Sequence, residues 1–272
     1  VTGVQTCALP ISTISATGST GAPVALIVAL TVGVVSLGLF VWRQIVLQRV
    51  DRPLLDLRVF LGLNFTLAIL QMTLLSMAFF GTIIVLPLYM QDVLGMTASE
   101  AGLAVLPGAL LMGLAGPIVG RIYDARGTRV LLVPGAIVAV GMLWVLTTFD
   151  ENTPVWAIVA AQTVLSLGLA ISFTPLFTAA LGSLEPRFMS YGSAIVSTIQ
   201  QVAGAAGIAV MVTVMTSVTA SEVAAGASEA AAGGAGTHAA FLIAALISLP
   251  LLVGAFLIRK PADTGSPAPL TH

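Results

Sequence analysis

Seven stretches of the chain are almost continuously apolar: Ala22–Trp42, Phe65–Met90, Ala101–Gly120, Val130–Phe149, Pro154–Phe177, Met189–Ser217 and Ala239–Ile258. About 20 residues rising 1.5 Å each cover the roughly 30 Å hydrocarbon core of a bilayer. The runs do not alternate apolar with polar positions, as barrel strands would. A helix also satisfies every backbone polar group within its own segment. The pattern predicts an all-α membrane protein with seven transmembrane helices.

The intervals carry the remaining organisation. Residues 1–21 open with VTGVQTCALPIS, which lacks the Lys/Arg region of a signal peptide. It resembles a translated sequencing-adapter stretch, and TISATGSTG after it reads as an outer loop. The first methionine is Met72, inside an apolar run, so the chain reads as a fragment. A first helix at 22–42, a linker at 43–64, a six-helix unit at 65–258 and a tail at 259–272 follow. The Ala/Gly-rich, acidic segment Thr219–Thr237 has no aromatic anchor and reads as a mobile outer loop.

Composition narrows the class. Only 8% of the 272 residues are charged and 58% are apolar, whereas soluble domains carry about a quarter charged residues. A net charge of -1, with no basic face to neutralise phosphates, argues against nucleic-acid binding. The single cysteine, Cys7, excludes a disulfide framework or a cysteine-rich metal site.

All ten basic residues fall on one side of the predicted helices. Arg43, Arg49, Arg52 and Arg58 follow the first span, Arg121, Arg126 and Arg129 the third, Arg187 the fifth, and Arg259 and Lys260 the seventh. The opposite side carries Asp92, Glu100, Asp150, Glu151, Glu222 and Glu229 without a cation. The positive-inside rule then predicts an outer N-terminus and a cytoplasmic C-terminus.

No charge falls in mid-membrane, so the chain offers no proton relay of its own. Lys260, the only lysine, lies beyond the last span, and His238 and His272 read as loop and tail. Catalysis has no residues to run on, so neither an enzyme nor a metal site is expected.

Between the third and fourth spans lies Gly120-Arg-Ile-Tyr-Asp124-Ala-Arg126-Gly127-Thr-Arg129, read as a tight loop with a glycine at each bend. Asp124 is placed just before the fourth span, where the helix dipole favours an anion. Arg121 and Arg129 are available to pair with it. The segment resembles the loop signature G-x-x-x-D-R-x-G-x-R of the major facilitator superfamily, with Ala125 where the family usually has a basic residue. Further segments around Arg52–Arg58, Leu86–Gly95 and Ser193–Gly204 look like the fourteen-span drug:proton antiporters of the EmrB/QacA type. The resemblance covers residues 22–260 and implies one extra helix followed by a C-terminal six-helix half.

That resemblance implies a midplane substrate site between two rocking halves, with the coupling carboxylates in a missing N-terminal half. The expected partners are the lipid bilayer, that missing half and small hydrophobic substrates. The residues leave open whether a periplasmic adaptor joins them. No cofactor is expected beyond a proton gradient for the intact transporter, and the fragment alone should not transport.

Interior faces should carry the polar side chains. Ser190, Ser193, Ser197, Gln200, Gly204, Gly207 and Met211 recur at spacings of three and four, one helical stripe. Such a stripe suits either helix packing or cavity lining. Candidate substrate contacts are Ser193, Ser197, Gln200 and Gln201 there, with Gln71, Gln162, Ser166 and Phe173 elsewhere. Met72, Met77, Phe79 and Phe80 receive no role. Gly113-Leu-Ala-Gly116-Pro117-Ile-Val-Gly120 reads as helix packing only.

Export of hydrophobic or amphipathic compounds at the cell membrane is the first functional expectation. A superfamily transporter of sugars, organic acids or siderophores is the second. A noncatalytic seven-span receptor or scaffold is the third.

Overall fold

The computed structural model describes residues 57–258, and some of the residues between 31 and 46, which are helical. The rest of the expected span Ala22–Trp42, residues 1–21, most of the linker and the tail 259–272 lie outside the described residues, as do Arg49, Arg52, Arg259, Lys260, Cys7 and His272.

Six helices form the bundle: α1 (Leu63–Asp92), α2 (Ala98–Arg126), α3 (Thr128–Leu146), α4 (Val155–Gly182), α5 (Met189–Ala224) and α6 (Glu229–Leu257). All six are long and apolar enough to cross a membrane. A 29-residue helix such as α2 is about 43 Å long at 1.5 Å per residue, so its ends overhang the hydrocarbon core and reach the charged residues.

Two starts and one turn have a clear local cause. Thr97 and Glu100 form a capping box that opens α2: the Thr97 N–H donates to Glu100 Oε2 at 2.8 Å and the Glu100 N–H to Thr97 Oγ1 at 3.3 Å. Ser228 caps α6 by accepting from the Ala231 N–H. One residue, Gly127, separates α2 from α3. Its φ of 81° and ψ of −175° fall in backbone space that is essentially glycine's alone. Proline lies inside every helix except α5.

α1 and α4 are the central helices. α1 packs on α4, α5 and α6; α4 packs on α1, α2 and α3; α3 and α6 close the back. The two triplets are interleaved, with α2 crossing to α4 and α5 returning to α1. α2 and α5 flank the bundle and are its least covered helices. Small residues set the close crossings. Gly207 lies against the backbone of Met77, and Gly81 receives the Met211 side chain.

Short connectors make successive helices antiparallel. Asp92, Glu100, Asp150, Glu151, Glu222 and Glu229 therefore gather at one end, and Arg121, Asp124, Arg126, Arg129, Glu185 and Arg187 at the other. Hydrogen bonds tie both ends. The buried Tyr89 hydroxyl donates to the Asp150 carbonyl at 2.5 Å. His238 Nδ1 lies 2.6 Å from the Thr147 carbonyl, which can only accept, so Nδ1 carries the proton. At the basic end, Arg129 Nε donates to the Ile258 carbonyl at 3.4 Å.

Four expectations are corrected. Thr219–Thr237 is not a loop: α5 runs to Ala224, α6 starts at Glu229 and only the turn at Gly226 separates them. Alanine is the best helix former, and Gly236 is a contact point that seats Met215 and Thr219 of α5. His238 accordingly belongs to α6. Gly120 is no bend, since α2 continues to Arg126 and leaves only Gly127 to turn. Asp124 sits in the last turn of α2 rather than at the start of α3; it makes no ion pair among the described residues, and Arg129 bonds to α6 instead.

Candidate functional site

α1, α2, α4 and α5 line an open concavity of about 420 Å³. α1 contributes Met72, Phe79 and Phe80, and α2 contributes Met112. α4 supplies Phe173, Thr174, Phe177 and Thr178, and α5 supplies Gln200. The α4 residues recur at a spacing of four, which puts them on one face of the helix.

Aromatic rings give the wall its shape. Phe79 meets Phe173 edge-to-face, with centroids 5.8 Å apart and planes at 73°, linking α1 to α4. Phe79 and Phe80 meet in the same way at 5.1 Å. Each such pair contributes about 0.5–1.5 kcal/mol beyond area burial. Phe80 also rests on Gly204, so the glycine of α5 determines how near that ring stands to the helix bearing Gln200.

The lining contains no acid, base or histidine. Its hydrogen-bonding side chains are Thr174, Thr178 and Gln200, and the Thr178 hydroxyl donates to the Thr174 carbonyl at 2.9 Å. Such a wall binds an apolar or aromatic body through the methionines and rings and offers a few polar contacts. It has no group that could move a proton or activate a nucleophile.

Of the eight candidate contacts, Phe173 and Gln200 border this cavity. Gln71 is buried in the groove above Gly254 and donates to the Pro250 carbonyl at 3.1 Å. It lines a separate, much smaller cleft with Ser172 and Leu251. Gln162 and Ser166 are buried at the α2–α4 crossing, where Gly108 gives them room, with Gln162 Nε2 3.5 Å from Ser166 Oγ. On α5, Ser193 is half-buried, Ser197 and Gln201 are exposed, and none of the three lines the cavity. The stripe divides along its length: its C-terminal part, Gly204, Gly207 and Met211, is packed on α1.

Met72, Phe79, Phe80, Met112 and Phe177 are the lining residues that polarity alone passes over, and Thr174 and Thr178 are polar ones not singled out in the sequence. One signal for them is present: the Phe-Thr pair at 173–174 repeats at 177–178, one turn later. Gly113 and Gly116 have open space beside them, and the packing face of their stretch is carried instead by Ala115 and Val119, buried with Leu131 and Ala170.

In the loop segment, Asp124, Arg126 and Arg129 are exposed and Gly127 is buried. A second cleft, about 360 Å³, lies at the acidic end between the α3–α4 connector and α6, lined by Asp150, Glu151, Asn152 and His238 among others.

Six membrane-length helices define a multi-pass membrane protein, and α1, α2, α4 and α5 line an uncharged, aromatic concavity in it. The family model of the Major Facilitator Superfamily matches residues 3–208, and the chain belongs to that superfamily. It is 42% identical over 189 residues to a "Lincomycin resistance protein LmrB" of Listeria monocytogenes, covering 70% of this chain and 40% of that protein. To the "Uncharacterized MFS-type transporter YcnB" of Bacillus subtilis it is 37% identical over 236 residues, covering 86% and 49%. To a "Multidrug resistance protein B homolog" of Mycobacterium tuberculosis it is 31% identical over 172 residues, covering 62% and 32%. The chain thus spans half or less of the length of these relatives.

Proposed function

We propose that the chain is the C-terminal half of a proton-coupled drug efflux transporter that exports hydrophobic or amphipathic compounds by alternating access. The observation that carries this reading is the position of the cavity, whose lining includes Met112 of α2 and Gln200 of α5, the two least covered helices. A second half seated on those flanks would enclose it. The aromatic and methionine lining suits bulky apolar substrates, and the names of the relatives agree with drug export.

The basic end faces the cytoplasm in this reading, with the C-terminus inside. The described helices hold no mid-membrane carboxylate, so proton coupling falls to acids of the other half. The conformational change is a rocking of the two halves about the cavity.

The test uses inside-out vesicles. Vesicles carrying the intact transporter should show drug-dependent release of protons, and vesicles carrying residues 1–272 alone should show none. Proton-dependent efflux by the 272-residue chain alone would refute the assignment.

A further inference from the structure

We infer that Gln200 is the specificity-determining residue of this cavity, selecting uncharged amphiphiles that carry an amide, carbonyl or hydroxyl group. This rests on the efflux reading above and adds the chemistry by which this half discriminates among its ligands.

Thr178 spends its hydroxyl proton on the Thr174 carbonyl of its own helix. Gln200 is half-buried, faces the cavity and has no hydrogen-bond partner among the described residues. It lies about 16 Å along α5 from Met189, three turns in from the basic end of the membrane-length helix. Its amide holds two donors and one acceptor, so it can give to a carbonyl and accept from an N–H or O–H on the same ligand.

The surroundings make that contact selective. Sharing the lining with Gln200 are Phe80, Phe173 and Met112, which offer a ligand apolar contact area without a polar group. A site built to hydrogen-bond a ligand rejects the analogue lacking that group, because its own polar atoms are left unpaired. A permanent cation gains ring contacts here but meets no counter-charge in this wall, and charge without a partner is costly in a low-dielectric site. Gln201, one residue on, is exposed and outside the lining, and Thr174 adds only a hydroxyl, so Gln200 is the one amide this wall offers.

The experiment compares two probes in vesicles bearing the intact transporter: chloramphenicol, a neutral amide with hydroxyls, and tetraphenylphosphonium, a cation without hydrogen-bonding groups. Gln200→Leu should raise KM for chloramphenicol about tenfold with kcat unchanged, and leave tetraphenylphosphonium within about twofold. Gln200→Glu should reverse the preference and lower KM for tetraphenylphosphonium, a gain that misfolding cannot produce. Unchanged chloramphenicol KM in Gln200→Leu, or equal losses for both probes, overturns the role of Gln200 while leaving efflux intact. Wild-type transport of neither probe overturns the efflux reading and this inference together.

Discussion

Gly207 of α5 lies so close to Met77 of α1 that a methyl group at 207 would run into the Met77 backbone. Backbone cannot move aside as the tip of a side chain can. Gly207→Ala should therefore push α5 off α1, and overpacking of this kind costs about 1–3 kcal/mol. The midpoint of detergent-induced unfolding should fall. Gly141→Ala is the control, because nothing stands within 4 Å of a Cβ there; its midpoint should not fall.

Phe173 touches Phe79 across the cavity. Truncation to alanine removes that pair and the apolar area offered to a ligand, a loss of about 1.5–3 kcal/mol for a fully used ring, or roughly tenfold or more in affinity. Transport of both an uncharged and a cationic probe should weaken by that order. A Phe173→Ala transporter with unchanged KM for each would mean the cavity is not the substrate site.

Tyr89 supplies a different kind of contact. Its hydroxyl bridges α1 to the α3–α4 connector at the acidic end, away from the cavity lining. Tyr89→Phe should cost about 1 kcal/mol of stability and leave probe KM unaltered, as thermal unfolding and vesicle transport on the same preparation would show.

Gly127 must adopt φ of 81° with an extended ψ. Any L side chain there is strained by about 1–3 kcal/mol. Gly127→Ala should reduce the folded yield in membranes, measured by fluorescence-detected gel filtration, whereas Gly120→Ala should not, because a Cβ at 120 meets open space.

Sidedness can be read directly. With Cys7 replaced by serine, Arg126→Cys and Glu222→Cys should be labelled by an impermeant maleimide from opposite faces of the membrane, Arg126→Cys from the cytoplasm. Labelling of both from one face would undo the antiparallel arrangement of α2 and α5.

The spans were legible because crossing a bilayer demands an apolar run of fixed length, a demand few other structures make. Their ends were not. Alanine-rich sequence such as Ala224–Ala235 is shared by linkers and by helices, and only the neighbour that seats Gly236 distinguishes the two. The same ambiguity hid the helical setting of His238. In the cavity, Gln200 and Phe173 stood out by chemistry or by face, but polarity marks packing as readily as lining. Gln71 satisfies its amide on the Pro250 carbonyl, and Gln162 sits over Gly108. Met72, Met112 and Phe177 stayed hidden for the opposite reason, since an apolar side chain reads the same whether it meets lipid, core or ligand.

The one-residue connector at Gly127 has a mechanical consequence. α2 and α3 hardly touch each other, yet they grip α4 from two flanks and are joined by a tether with no slack. A push on α2 from outside the bundle has only this one residue in which to be taken up before it reaches α3. It must tilt α4, carrying Phe173 with it, or drag α3, and the bond from Arg129 to Ile258 then hands that displacement to the last turn of α6 at the opposite side.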